Sequence, residues 1–131
     1  MIVVDTSALI AILNKEPERD RFLDILANED RPMLSAVTYY ETMLIASARR
    51  GTANLDDLAQ ILETIEAEIV PFDADQARAA QAAYMRYGKG IDPAARLNLC
   101  DCVAYALAKQ LAVPLLYKGS DFAATDVASA G

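Results

Sequence analysis

The stretch MIVVDTSALIAIL, residues 1–13, decides how the rest of the chain is read. Residues 1–5 are apolar up to Asp5 and rich in β-branched side chains, the pattern of a short strand buried in a parallel sheet. Thr6 and Ser7 then offer helix caps, and the run ALIAIL continues as a helix. The turn between them leaves a carboxylate just past the carboxyl end of a strand, where open α/β sheets build their sites.

Outward from this unit the same alternation repeats. Residues 32–35, 69–72 and 113–117 read as three further short strands. Pro17 restarts a helix that runs through residues 21–28, with Phe22, Ile25 and Leu26 on one face. Helices follow over residues 38–50, stopped by Gly51, and over residues 54–68, carrying Leu55, Leu58, Ile61, Leu62 and Ile65. An Ala-rich helix over residues 73–87 is stopped by Gly88; residues 88–96 form a loop, and residues 98–111 a last helix. Short apolar strands alternating with longer helices predict a three-layer α/β/α arrangement, a short parallel sheet flanked by helices. No repeat or linker interrupts the 131 residues, of which 54% are apolar, so a single domain over 1–131 is expected.

Composition removes several chemistries. The chain has no histidine, which excludes Ser–His and Cys–His nucleophile pairs and imidazole acid–base catalysis. Cys100 and Cys102 lie two apart on a predicted helix and point to different faces, so reduced thiols are expected. Two cysteines alone cannot complete a four-ligand zinc site. No apolar run approaches the roughly 20 residues that cross a bilayer, and no basic leader opens the sequence, so a soluble, cytoplasmic protein is expected. The net charge of −7 disfavours sequence-blind nucleic-acid binding, which would need a local basic strip or a bridging cation. Arg49, Arg50, Lys89, Arg96 and Lys118 are the basic residues that fall near the candidate acids along the chain.

Four carboxylates stand out, each with a local alternative. Asp5 is either an N-cap or a ligand at the sheet edge, and one carboxylate can do both. Glu41 completes a formal capping box with Thr38, yet lies among Val37, Tyr40, Leu44 and Ile45. Asp101 fits a first helical turn capped by Asn98, but its flanks LNLC and CVAYALA are almost wholly apolar, a costly setting for an unpaired charge. Asp121, in KGSDF, suits an ordinary turn, and Asp126 is a fifth, weaker candidate. Gathered at one sheet edge, such charges repel by roughly 4 kcal/mol per pair at ~4 Å and an effective dielectric of about 20. A cluster of that kind calls for a divalent cation, and all-oxygen ligands select Mg²⁺ or Mn²⁺.

In order and spacing, IVVDTSALIAIL, LSAVTYYE, LNLCDCVAYALAK and PLLYKGSDFAATDV resemble the PIN-domain toxins of the VapC type along essentially the whole chain. The resemblance implies a Mg²⁺-dependent endoribonuclease, the toxin of a two-gene toxin–antitoxin pair. It implies a homodimer held inactive by a cognate antitoxin in a larger complex, leaving 5′-phosphate and 3′-hydroxyl ends on its RNA substrate. Motif matching places Asp5, Glu41, Asp101 and Asp121 at the four acidic positions, with Asp5 and Asp101 most directly tied to the metal. Two departures are visible: Cys100 stands where many relatives have Gly, and Asp92 where relatives often carry His. Asp5 and Asp101 would hold Mg²⁺ (Mn²⁺ as a substitute) and lower the pKa of water, Glu41 and Asp121 would complete the cluster either through a second metal or by orienting the attacking water, and Thr6 or Ser7 would donate a hydrogen bond to a ligand or phosphate oxygen. Two other readings compete. A metal-dependent phosphohydrolase of small metabolites commonly has a second Asp two residues on, where this chain has Ser7. A non-catalytic α/β interaction module would carry the same acids only as caps.

Overall fold

A computed structural model describes residues 1–50 and 52–131, and the side chains of all of these except residues 49–53. Gly51 and the side chains of Arg49 and Arg50, which the sequence marks as a helix stop and a basic pair, lie outside the described residues. Four short strands, β1 (Ile2–Val4), β2 (Pro32–Ser35), β3 (Glu68–Val70) and β4 (Leu115–Leu116), pair in parallel in the order β3-β2-β1-β4. Among the described residues six helices surround them: α1 (Thr6–Leu13), α2 (Arg19–Ala27), α3 (Ala36–Arg50), α4 (Thr52–Thr64), α5 (Ala74–Tyr87) and α6 (Leu99–Leu111).

Alternation along β1 divides the core. Val3 packs with Leu115 against α5 and α6, through Ala83, Tyr87, Val103 and Leu107. Ile2 and Val4 turn the other way, with Leu34 and Leu116, onto Leu9 and Ile12 of α1, Phe22 of α2 and Leu58 of α4. Burial on both faces is why these strands read as unbroken apolar runs. Among the described residues no helix is long and apolar enough to cross a membrane.

The boundaries differ from the sequence reading where capping chemistry decides. Asp5, not Thr6 or Ser7, is the N-cap of α1. Pro17 lies in the turn before α2, which starts at Arg19. Helix α3 begins two residues before Thr38, and the Ser35 hydroxyl accepts the Val37 N–H at 3.1 Å. Thr38 is therefore already helical, and the Thr38–Glu41 capping box is not formed. Helix α4 stops at Thr64 instead of residue 68, because Glu66 takes a left-handed φ of 54° and the Ala67 N–H closes onto Leu62 O at 2.9 Å. Residue 68 is thereby freed to open β3.

Leaving β1, the chain builds β2 and β3 on one side and returns to place β4 on the other. The sheet order reverses between β1 and β4, and the crevice beyond their carboxyl ends is the place this topology reserves for a site.

Candidate active site

Asp5 leaves the central strand into that crevice. Its N–H donates to Leu116 O at 2.9 Å, which ties it to β4, and its Oδ2 accepts the Ser7 N–H at 3.0 Å. The side chain is 3% exposed. Burial pushes its carboxyl up to about 7; the Ser7 bonds oppose this, and the charges of Asp101 and Glu41 add to it. The cap and ligand readings thus coexist here, with Oδ1 outside the capping bond.

Asp101 arrives on the first turn of α6. It forms a reciprocal capping box with Asn98: the Asp101 N–H donates to Asn98 Oδ1 at 2.8 Å and the Asn98 N–H to Asp101 Oδ2 at 3.0 Å. Its carboxyl is pushed up to about 6, chiefly by burial, against the Asn98 bond and with the charges of Asp121 and Glu41 adding. The local account of Asp101 as a cap residue, which seemed poorest from its apolar flanks, is the one most fully realised in hydrogen bonds.

Glu41 comes from the second turn of α3 and is half-buried. Asp121 is exposed, follows Gly119 at φ 107°, and leads into the 3₁₀ turn Phe122–Ala124 without a capping bond from its side chain. Four acids from four elements are therefore linked electrostatically at one end of the sheet, Asp5 with Asp101 and Glu41, and Asp101 with Glu41 and Asp121. None of them has an ion-pair partner among the described residues, whereas cations elsewhere on the chain pair with other acids.

The thiol of Cys100 stands among the same acids. Burial and then the nearby Glu41 carboxylate push it up to about 12, with Asp101 and Asp5 adding. It is a protonated donor here, not a thiolate. Both cysteines are free.

Asp126 does not join the cluster. It accepts from Tyr105 Oη and pairs with Arg86 Nη1 at 3.5 Å and Lys109 Nζ at 3.3 Å, contacts that hold its carboxyl below the usual range. Lys118 leaves the expected basic strip, since its ammonium is held by Glu16 and Glu18. Lys89 and Arg96 stay exposed and free of ion pairs among the described residues. Asp92 Oδ1 is taken by the Ala94 N–H at 2.9 Å within its loop.

Thr6 is engaged as well: its hydroxyl donates to Thr38 O at 3.3 Å, so that hydrogen points into the core and not toward a phosphate. The Ser7 hydroxyl accepts the Lys118 N–H at 3.0 Å. Sequence reasoning passed over Thr42, fully buried and 3.0 Å from Thr6 Oγ1. Its signal was a pair of threonines, 38 and 42, one helical turn apart.

Carboxylate oxygens without cationic partners fit a hard divalent cation. Among the described residues, however, no three Asp, Glu, Cys or His side chains stand as a ready-made cage. That combination suits an ion held by one or two carboxylates with water filling its shell, the usual manner of Mg²⁺.

Residues 2–128 match the PIN domain family. A VapC ribonuclease of Mycobacterium bovis is 43% identical over 98% of this chain and 97% of its own length. A ribonuclease VapC of Mycolicibacterium smegmatis is also 43% identical, over 98% of both chains. Among solved structures, VapC20 of Mycobacterium tuberculosis, described as a Sarcin-Ricin loop cleaving toxin, superposes with TM-score 0.79 at 19% identity, covering 97% of this chain and 96% of that one. VapBC2 of Rickettsia felis, bound to a DNA fragment from its promoter, gives 0.76 at 19% identity over 98% and 96%.

Proposed function

The chain belongs to the PIN-domain family, among the VapC ribonucleases, and on that premise we propose that it hydrolyses RNA at the acidic end of its sheet with Mg²⁺. It is the toxin of a toxin–antitoxin pair, with an antitoxin protein as its partner. The likeness to named ribonucleases sets the non-catalytic module aside, and no observation favours a small metabolite over RNA. The observation that carries the metal reading is the convergence of Asp5, Glu41, Asp101 and Asp121 with no cation of the described chain to balance them.

In this reading Asp5 and Asp101 hold the ion. When bound, Mg²⁺ neutralises charge at the scissile phosphate and lowers the pKa of water. Glu41 orients the attacking water and takes its proton, with the Cys100 thiol steadying the carboxylate. Asp121, on the exposed side, completes the cluster from the turn beyond β4. Water adds to phosphorus, the bond to the 3′ oxygen breaks, and that oxygen takes a proton from solvent water, to which Glu41 returns the one it accepted, giving 5′-phosphate and 3′-hydroxyl ends. Of the candidate basic residues whose side chains are described, Lys89 and Arg96 are the ones free to meet the RNA backbone. A homodimer accords with the apolar side chains that stay in solvent, Leu99 at 72% exposure and Tyr40 at 60%. One domain spanning the chain and a cytoplasmic location complete the proposal.

The test is cleavage of total cellular RNA by purified protein with Mg²⁺, Mn²⁺ or EDTA, beside Asp5→Asn and Asp101→Asn. Discrete fragments that vanish with EDTA and in both folded variants support the reading. Cleavage that survives EDTA overturns the metal, and cleavage by both variants overturns the ligands.

A further inference from the structure

Asp5 and Glu41 sit on different elements, and their immediate neighbours Thr6 and Thr42 touch behind them. Thr42 Oγ1 lies 3.0 Å from Thr6 Oγ1 and 2.8 Å from Thr38 O, so its one proton is shared between these two acceptors, and Thr6 Oγ1 donates to the same carbonyl at 3.3 Å. Thr42 is 0% exposed and Thr6 6%. Burial shields hydroxyls so placed from water, which would otherwise compete for them. In front of it the two carboxylates repel one another. The hydroxyl pair therefore works as a cross-brace, joining the first turn of α1 to α3 against a force that would spread them.

We propose that Thr42, acting through Thr6, is a positioning residue that fixes the spacing of Asp5 and Glu41 and so sets the affinity for the divalent cation. This rests on the acidic-site reading above. Thr42 touches neither substrate nor ion; its effect passes through the backbone between neighbouring residues, as with other partners that orient a ligand set from behind.

Mn²⁺ alone, titrated into the full, metal-stripped chain and followed by the electron paramagnetic resonance of the free ion, tests it. Thr42→Val keeps the shape and deletes the hydroxyl, and about tenfold weaker Mn²⁺ binding is expected. Thr42→Ser keeps the hydroxyl and deletes a methyl group, and binding within about twofold of the parent is expected on the same footing. In RNA cleavage, Thr42→Val should lower kcat at limiting Mg²⁺, recover at high Mg²⁺, and leave KM for RNA unchanged. If Thr42→Val does not fold, Thr6→Val breaks the same bond from the other side and, because it also deletes the bond to Thr38 O, should weaken Mn²⁺ binding at least as much. Unchanged Mn²⁺ binding in the valine variant overturns the proposal, as does a serine variant weaker than the valine one, which would mark simple packing. No Mn²⁺ binding by the parent chain overturns the site reading itself, and this inference with it.

Discussion

Asn98 and Asp101 hold each other through two bonds of nearly equal length, 2.8 Å and 3.0 Å, each backbone N–H donating to the other residue's side chain. The same carboxylate thus starts a helix and faces the acidic cluster, and the two duties separate by mutation. Asp101→Asn keeps an oxygen for the Asn98 N–H and loses the charge. It should reduce RNA cleavage by about 100-fold or more while changing stability by under about 1 kcal/mol. Asp101→Ala should lose cleavage equally and cost about 1 kcal/mol more in urea denaturation. An Asp101→Asn variant that cleaves within a few-fold of the parent contradicts the ligand role.

The raised carboxyl of Asp5 makes the metal-free protein sensitive to pH. Its folded value, about 7, lies above the ordinary 3.8, so the native state binds the extra proton and gains stability from it at low pH. That gain is lost as pH rises toward 7 and is absent above it. In EDTA, Tm should fall from pH 5 to pH 8 by roughly 5–10 °C, reflecting about 3 kcal/mol from this group. Asp5→Asn should flatten the slope, and millimolar Mg²⁺ at pH 8 should restore Tm in the parent only.

Asp126 gives the opposite sign. Tyr105, Arg86 and Lys109 favour its ionised form, so its stabilisation is present above the ordinary carboxylate range and lost as pH falls through the lowered one. Asp126→Asn should cost about 1 kcal/mol at pH 7, with the exposed ion pairs contributing little of it. The cost should vanish on acidification below about pH 3. RNA cleavage should stay within about threefold of the parent; a collapse comparable to that of Asp101→Asn would return Asp126 to the acidic cluster.

RNA affinity separates the basic residues. Lys89 and Arg96 carry free charges, and Ala in place of either should weaken binding and lower the slope of log affinity against log salt by about 1. Lys118 is committed to Glu16 and Glu18, so Lys118→Ala should leave that slope nearly unchanged. Filter binding of RNA to the Asp101→Asn variant in a series of salt concentrations reads this without cleavage.

What the sequence displays and what it hides divide along a physical line. Features governed by neighbours in the chain were legible: β1 and the Asp5 turn, β2 at residues 32–35, and Asn98 capping α6. Where two local signals competed, the reading failed. Thr38-x-x-Glu41 has the form of a capping box, but Ser35, at the end of β2, starts the helix first. The end of α4 was hidden because Glu66 takes the left-handed conformation that glycine usually advertises. Contacts between distant segments were beyond local reading altogether. The capture of Lys118 by Glu16 and Glu18 is of this kind, as is the Thr6–Thr42 bond. So is the meeting of the four acids, which the parallel sheet and its reversal between β1 and β4 bring about.

That reversal also dictates a timetable. The strand bearing Asp5 is completed by β4, which the ribosome makes after every other strand, and Asp121 lies beyond β4. A nascent chain can shelve its first strand against β2 early, yet its acidic crevice has only one wall until the last segment has emerged. A chain truncated before residue 115 should accordingly lack both β4 and Asp121, and with them the strand that ties down Asp5 through Leu116 O.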